Sequence, residues 1–119
     1  MPFRAASSSL PLTATAFEVL LALSESDLHG YAILQAVGER LGGLAPLRTG
    51  TLYRALARLV TDGLIVEVRQ PPHADRDDRR RYYHLTDRGR EVAQAEAARL
   101  ADQVAAARKR KLLPDADRG

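Results

Sequence analysis

The spacing of apolar residues predicts three helices, then two strands, then a long terminal helix. Apolar positions recur every three or four residues in the first three segments, which is the period of an amphipathic helix. Beyond Gly63 the period changes to two, as in a strand with one buried face. The predicted elements are helices ending near residue 24 and spanning about 28–41 and 49–63, strands from 64 and from 79, and a helix over 87–111.

Polar residues and glycines mark the boundaries of the first two helices. Thr15 and Glu18 have the spacing of a capping box, and Thr13 is a second candidate cap for the first helix. Asp27 is the candidate cap of the second helix, and Gly30 near its start permits a close backbone approach. The apolar stripe of the second helix consists of Tyr31, Leu34, Val37 and Leu41. Short connections between the three helices predict a helix-turn-helix arrangement.

The third helix has two sharply different faces. Its apolar face is formed by Leu52, Ala55, Leu56, Leu59 and Val60. Thr51, Arg54 and Arg58 share the opposite face, because residues three, four and seven positions apart are neighbours on a helix. Thr49 is a candidate N-cap, and Gly63 is a candidate left-handed stop. The polar face suits phosphates and base edges of a major groove; the alternative is an ordinary amphipathic helix with a solvated basic face.

The two strands and the polar loop between them predict a β-hairpin, or wing. Tyr83 and Leu85 share one face of the returning strand, and Tyr82 and His84 share the other. From residue 69 to residue 81 there are five arginines and three aspartates, and five minus three leaves a charge of +2. The arginines are Arg69, Arg76, Arg79, Arg80 and Arg81. This charge indicates a contact with phosphates or the minor groove, and the alternative is a solvated loop.

The terminal helix has a cap at Thr86 and a long stripe of small apolar residues. The stripe follows a spacing of four and three, and consists of Ala93, Ala97, Leu100, Val104 and Ala107. A domain of this size does not offer enough surface to cover the whole stripe. We therefore expect a second copy of the chain to cover it.

Composition narrows the class of protein. The chain has 119 residues, a formal net charge of +3 and no cysteine. The absence of cysteine fits a reducing compartment, and no apolar run is long enough to span a membrane. His29, His73 and His84 are too scattered for a metal site, and no catalytic motif is present. We expect a cytoplasmic protein without enzymatic activity, metal or cofactor.

The expected organisation is a single DNA-binding domain followed by a dimerisation helix. Its parts are a flexible tail at 1–11, a winged helix-turn-helix domain at 12–86, a terminal helix at 87–111 and a second tail at 112–119.

Several short motifs, in this order, resemble the PadR family of bacterial transcriptional regulators over about residues 12–92. The motifs are His29-Gly30-Tyr31, Gly50-Thr51-Leu52-Tyr53-Arg54-Ala55-Leu56, Arg58-Leu59, Asp62-Gly63-Leu64-Ile65, Arg80-Arg81-Tyr82-Tyr83-His84-Leu85-Thr86 and Gly89-Arg90. The single terminal helix resembles the short-chain branch of the family. The resemblance implies a homodimer that binds operator DNA, usually as a repressor, with the terminal helix pairing against the partner subunit.

The resemblance and the pattern together assign two sets of residues. The expected DNA contacts are Arg48, Thr49, Thr51, Tyr53, Arg54 and Arg58 on the third helix and the five wing arginines. The expected dimer contacts are Phe17, Val92, Ala93, Ala97, Leu100, Val104 and Ala107. Which arginines contact bases and which contact phosphates stays open at this point.

Other interpretations of the same residues remain. Thr49 could serve only as a cap, and Tyr53 could pack between the helix and the wing. Tyr82 and Tyr83 fit core and wing packing better than an effector pocket. Some members of the family release DNA on binding a phenolic acid or a planar drug, so a small aromatic effector is a candidate partner. A chain without tryptophan, and without an aromatic residue in its terminal helix, argues against a drug pocket. The alternative functions are a protein-interaction adaptor and a small-molecule-binding dimer without a specific operator.

Overall fold

A computed structural model of the chain describes residues 10–42, 48–69 and 81–114. The elements are α1 (Ala14–Leu23), β1 (Leu28–His29), α2 (Gly30–Leu41), α3 (Thr49–Thr61), β2 (Ile65–Val68), β3 (Tyr82–Leu85) and α4 (Asp87–Lys109). The predicted turn at 44–47 and the wing loop with Arg76, Arg79 and Arg80 lie outside the described residues. The fold is mainly helical with a small antiparallel sheet and a long C-terminal helix, which confirms the predicted class.

Helix α1 is the central helix of the domain. It packs against α2, α3, α4 and β3, and its Val19 and Leu20 side chains are fully buried. The hydroxyl of Thr13 accepts a hydrogen bond from the amide of Ala16 at 3.1 Å, so Thr13 is the N-cap. The capping box predicted at Thr15 was wrong, because Thr15 already lies inside α1 and the Glu18 carboxylate pairs with an arginine of α2 instead.

The segment before α2 differs from the prediction. A helix was expected from Leu28, but Leu28–His29 forms β1 and α2 begins at Gly30. The cap is His29, whose Nδ1 accepts a hydrogen bond from the amide of Ala32 at 3.1 Å. Asp27 was wrongly predicted as the cap; its carboxylate lies 2.7 Å from Nδ1 of His84 on β3.

Helix α3 ends at Thr61, two residues before the predicted end, and the predicted left-handed stop at Gly63 is confirmed. Gly63 has a φ of +76°, which is a left-handed conformation that favours glycine. The amide of Gly63 donates to the carbonyl of Val60 at 3.0 Å, and the amide of Leu64 donates to the carbonyl of Leu59 at 2.9 Å. These two bonds form a Schellman motif, which turns the chain directly from α3 into β2.

The sheet has three strands in the order β1-β3-β2, all antiparallel. The predicted hairpin is β2 paired with β3, and β1 adds a strand that the sequence did not predict. The predicted alternation on β3 fails at Tyr82, because Tyr82, Tyr83 and Leu85 are all buried while His84 is exposed. The ring of Tyr82 contacts the ring of His29 edge to face, with centroids 5.3 Å apart, so residues before α2 cover the second face of β3.

The core combines residues from every helix and from the sheet. Its fully buried side chains include Leu20, Ile33, Leu52, Leu56, Leu64, Ile65 and Val92. Not every residue of the predicted apolar stripes is part of it. Tyr31 on α2 and Val60 on α3 lie at the edges of their stripes and are exposed.

Helix α4 is attached firmly to the end of α3. The hydroxyl of Thr86 accepts a hydrogen bond from the amide of Gly89 at 3.0 Å, which confirms Thr86 as the cap. The same hydroxyl donates a shared hydrogen bond to the carbonyl oxygens of Gly63, at 2.8 Å, and of Leu64, at 3.0 Å. Gly89 is required here because a Cβ at this position would collide with the Leu64 carbonyl.

The far end of α4 turns sharply. The helix ends at Lys109, two residues before the predicted end, and Lys111 has a φ of +62°. The amides of Lys111 and Leu112 donate to the carbonyls of Arg108 and Ala107, each at 2.9 Å, in a second Schellman motif. Leu112 was assigned to the tail, but it lies in this turn and is 77% exposed.

The segment before α1 is fastened to α4 through a buried carboxylate. Leu10, assigned to the tail, and Leu12 both pack against the core. Glu96 on α4 is only 1% exposed, and its Oε2 accepts a hydrogen bond from the amide of Leu12 at 3.1 Å. Arg99 donates to both oxygens of the same carboxylate, at 2.6 and 3.0 Å. These bonds from Arg99, and then the one from Leu12, hold the pKa of Glu96 below its ordinary value although burial acts in the opposite direction.

Candidate nucleic-acid interface

The outward face of α3 is polar, small-sided and accessible. Leu52, Leu56 and Leu59 point into the core, so the opposite side of the helix faces outward. Gly50, Arg54, Ala57 and Thr61 are exposed along that side. Since Gly50 and Ala57 are small, the Arg54 side chain stands above its neighbours, within 3.5 Å of the Thr51 hydroxyl. This arrangement lets a long cationic side chain reach into a groove.

The two ends of α3 differ from the expectation. Arg48 occupies the N-cap position, and no side chain caps the helix, so the prediction that Thr49 caps it was wrong. Thr49 is instead the first helical residue, and it is exposed. At the other end, Nε of Arg58 lies 3.2 Å from the Asp62 carboxylate in an exposed i,i+4 pair. Arg58 can still contact a phosphate, because such pairs exchange readily with solvent.

Tyr53 lies on the flank of α3 that faces α2 and the sheet. Its ring packs over Gly30, where a Cβ would lie 2.8 Å from the Tyr53 hydroxyl oxygen. The close approach predicted at Gly30 is therefore made by this ring. Tyr53 nevertheless remains 47% exposed, so packing against the domain and contacting a ligand are compatible at this position.

Arg81, Tyr53 and Tyr83 meet at the base of the wing. Nη1 of Arg81 lies 3.4 Å from the Glu67 carboxylate on the neighbouring strand, and Tyr53 and Tyr83 line the same concave site as Arg81. Burial raises the pKa of Tyr83, and the nearby Glu67 carboxylate adds to the rise, so its phenol is neutral at physiological pH. The wing base therefore presents one guanidinium beside the neutral phenol of Tyr83.

The remaining predicted DNA contacts are divided between described and undescribed residues. Arg48 before α3 and Arg69 after β2 are both exposed. Arg76, Arg79 and Arg80 lie outside the described residues, so only the base of the wing is placed relative to α3. That base and the outward face of α3 belong to one domain and are joined by the short turn at Gly63.

The predicted dimer residues fall into two groups. Val92 has no exposed surface and belongs to the core of its own protomer, so assigning it to the interface was wrong. Phe17, Ala93, Leu100 and Ala107 are partly exposed, while Ala97 is exposed and Val104 is 38% exposed. Beyond Leu100, five consecutive residues of α4 are exposed, which means that the helix extends past its own domain. Leu112, which the sequence analysis did not assign to the stripe, lies exposed at the end of this extension.

Neither a metal site nor a membrane-spanning helix is found in the part of the chain that is described. Within residues 10–42, 48–69 and 81–114, no group of histidine, aspartate and glutamate side chains could hold a metal ion. No helix of that part is long and apolar enough to cross a membrane.

A three-helix domain with an exposed third helix, a β-hairpin wing and a C-terminal helix defines a winged helix-turn-helix protein. The sequence model described as "Transcriptional regulator PadR-like family" matches residues 19–95, which is well over half of the chain. The chain belongs to this family of transcriptional regulators.

Several known proteins are similar to the chain. A Streptomyces fradiae protein, described as an uncharacterized 37.1 kDa protein in transposon TN4556, is 40% identical over 93 residues, which make up 72% of this chain and 24% of that protein. The chain therefore spans about a quarter of the length of this relative.

Solved structures with the same fold come from bacteria and from H. salinarum. A PadR family regulator of Clostridium difficile has a TM-score of 0.71 and 25% identity, over 82% of this chain and 97% of that one. A transcriptional regulator of Clostridium thermocellum has a TM-score of 0.67 and 25% identity, over 80% and 87% of the two chains. A complex structure of RosR from H. salinarum has a TM-score of 0.63 and 29% identity, over 96% and 85%.

Proposed function

We propose that the chain acts as a homodimeric repressor that recognises an inverted-repeat operator. The observation that supports this most strongly is the outward face of α3. There the exposed Arg54 lies between the small residues Gly50 and Ala57 and does not pack in the core. A side chain of this reach can donate two hydrogen bonds to a guanine edge in the major groove. Repression then needs only occupation of the operator, since a bound dimer blocks access to the DNA.

In the proposed dimer, the second subunit contributes a second recognition helix. The stripe on α4 that includes Leu100 and Val104 continues past the domain, and a second copy of the same stripe would bury it. In the proposed dimer, a twofold axis through this contact relates the two α3 helices. Two recognition helices about 34 Å apart fit successive major grooves, which is why the operator should be an inverted repeat.

The proposed contacts divide by their role. Arg54 and Thr51 face the base edges, and Arg48, Thr49 and Arg58 lie towards the flanking phosphates. The wing arginines contact the flanking sugar-phosphate backbone of the DNA. They are Arg69, Arg76, Arg79, Arg80 and Arg81. A small aromatic effector would release the DNA if it bound preferentially to dimers whose α3 helices have the wrong separation.

Selection of genomic fragments tests the proposal. The protein is incubated with fragments of its own genome at near-physiological salt, and the retained DNA is amplified over several rounds. Enrichment of one inverted repeat would support a dimeric sequence-specific regulator. Retention without an enriched sequence would contradict it, because only non-specific electrostatic binding would remain.

The Arg54→Ala variant then tests the recognition helix on the selected repeat. We expect it to weaken binding to the repeat by more than about 1 kcal/mol, and binding to a scrambled duplex by less. The melting temperature should not change, because Arg54 is exposed. Lys109→Ala is the matched control, since it removes an exposed cation at the far end of α4. Equal losses on both duplexes would mean that Arg54 contacts only phosphate.

A further inference from the structure

A concave site of about 340 Å³ lies where the start of α2, the flank of α3 and the base of the wing meet. Its lining consists of Gly30, Tyr31, Tyr53, Arg81 and Tyr83. We propose that this site, called here the tyrosine clamp, binds one phosphate group of the DNA backbone in each subunit. This inference rests on the proposed DNA binding, and it adds Tyr31 as a contact and separates the clamp from the residues that recognise bases.

The clamp has hydrogen-bond donors available for a phosphate. Among the described residues, the Tyr53 hydroxyl has no hydrogen-bond partner. The Tyr31 hydroxyl accepts a bond from Gln35 at 3.2 Å, which leaves its own proton free to donate. The Arg81 side chain is 75% exposed and has five N–H donors, of which its partners engage only a part. Phenol hydroxyls and a guanidinium are common donors to backbone phosphates.

The charge balance of the clamp also favours an anion. Among the described residues, the carboxylate that pairs with Arg81 is Glu67, through a single long bond of 3.4 Å. An exposed bond of this length is weak, so a phosphate that accepts two shorter bonds from the same guanidinium can displace it. Tyr83 is buried beside Arg81, whose side chain stays 75% exposed.

The position of Tyr53 indicates the backbone and not the bases. Arg54 points away from the domain along the centre of the exposed face of α3, whereas the Tyr53 ring lies against Gly30 on the flank. A helix inserted in the major groove places its flanks next to the sugar-phosphate strands that form the groove walls. The clamp should therefore contribute affinity and salt dependence without sequence preference.

The Arg81→Gln variant tests the charge of the clamp. Binding to the selected repeat and to a random duplex is measured by fluorescence anisotropy over a series of salt concentrations. We expect the slope of log K against log salt to become less negative by about 0.9 for each subunit bound, equally on both duplexes. Lys109→Gln removes the same charge at the far end of α4 and should leave the slope unchanged.

The Tyr53→Phe and Tyr31→Phe variants test the hydroxyls while keeping the rings. Each should weaken binding about 2- to 10-fold on both duplexes, with no change in the salt slope and no loss of melting temperature. Glu67→Gln, which frees Arg81, should tighten binding to both duplexes.

Three results would overturn the clamp: an unchanged slope in Arg81→Gln, full affinity in both phenylalanine variants, or losses confined to the selected repeat, which would indicate base contacts. Failure of the clamp is distinguishable from failure of the proposed function. A protein that binds random DNA without any operator still shows whether Arg81 and Tyr53 contact phosphate, whereas a wild-type protein that binds neither duplex refutes both.

Discussion

Glu96 is a buried charge at the contact between α4 and the segment before α1. Its carboxylate accepts two hydrogen bonds from Arg99 and one from the amide of Leu12. A carboxylate can be buried at low cost only when such partners satisfy its oxygens. Nothing in the sequence marks this residue, because it lies on the border of an alanine-rich stripe and its most distant partner is 84 residues away.

We predict that Glu96→Gln destabilises the fold in a pH-dependent manner. The pKa of Glu96 is lowered in the folded state, so its contribution is fully present above about pH 4.5 and is lost as the pH falls through the folded pKa. At pH 7 the variant should lose about 1–3 kcal/mol of unfolding free energy, and the loss should shrink towards zero in acid. Urea unfolding of both proteins between pH 7 and pH 3 measures this. A difference that does not vary with pH would contradict the ionic role of Glu96.

At the same scale, the sequence predicted some helix caps and missed others. Thr86 and Gly63 were predicted correctly because each is the one candidate, as cap or as stop, at a point where the spacing of apolar residues changes between helix and strand. Thr13 and Thr15 compete for the same helix start, and Asp27 and His29 compete for the next one. Tertiary contacts decide both cases, since Asp27 pairs with His84 across the sheet and leaves the cap of α2 to His29.

Among the elements, the junction between α3, β2 and α4 joins the DNA-facing helix to the helix proposed for dimerisation. The Thr86 hydroxyl caps α4 and also bonds to the backbone just after α3. Gly89 allows the first turn of α4 to lie directly on the Leu64 carbonyl. A change in the angle between two α4 helices would therefore move the α3 helices with them.

We predict that Thr86→Val lowers the unfolding free energy by about 1–2 kcal/mol, because it removes the cap of α4 and the bonds to the end of α3. The substitution keeps the shape of the side chain and deletes only its hydroxyl. Thr61→Val, at an exposed position of α3, is the matched control and should change stability little. Chemical denaturation of the two variants compares them directly, and equal stabilities would show that the junction does not depend on Thr86.

The order of the elements was predictable, but the sheet was predictable only in part. The hairpin of β2 and β3 follows from alternation and a change of period at Gly63. Strand β1 has two residues, and such a short strand has no periodicity of its own. It forms because Leu28 and His29 lie opposite Tyr83 and Tyr82, which is a contact between distant parts of the chain. The same contact buries Tyr82, which alternation placed on the same face as the exposed His84.

For the whole molecule, the unpaired length of α4 determines the assembly that we propose. The helix has 23 residues, and only its first part packs on the domain. The sequence predicted the stripe, but it did not separate Val92, which the protomer buries, from Val104, which it leaves exposed. That distinction depends on where the domain ends along the helix, and the stripe is continuous across that point.

We predict that Val104→Glu prevents dimer formation, because it would bury an unpaired charge in the contact between two α4 helices. Ala105→Glu is the matched control: it adds the same charge one residue away, at an exposed position outside the apolar stripe. Light scattering at equal concentrations should show a monomer for the first variant and a dimer for the second. A Val104→Glu protein that stays dimeric would place the interface elsewhere.

The central claim is that one dimer recognises two half-sites on the same face of the DNA, and a change in half-site spacing tests it most directly. Duplexes with the selected repeat are compared with duplexes that have about five extra base pairs between the half-sites, which is half a helical turn. The control duplex has the same insertion outside the repeat. We predict that the insertion between the half-sites lowers affinity by about 1,000-fold or more, to the level of random DNA, while the control binds normally. Equal affinity for all three duplexes would contradict recognition by a dimer with two fixed α3 helices.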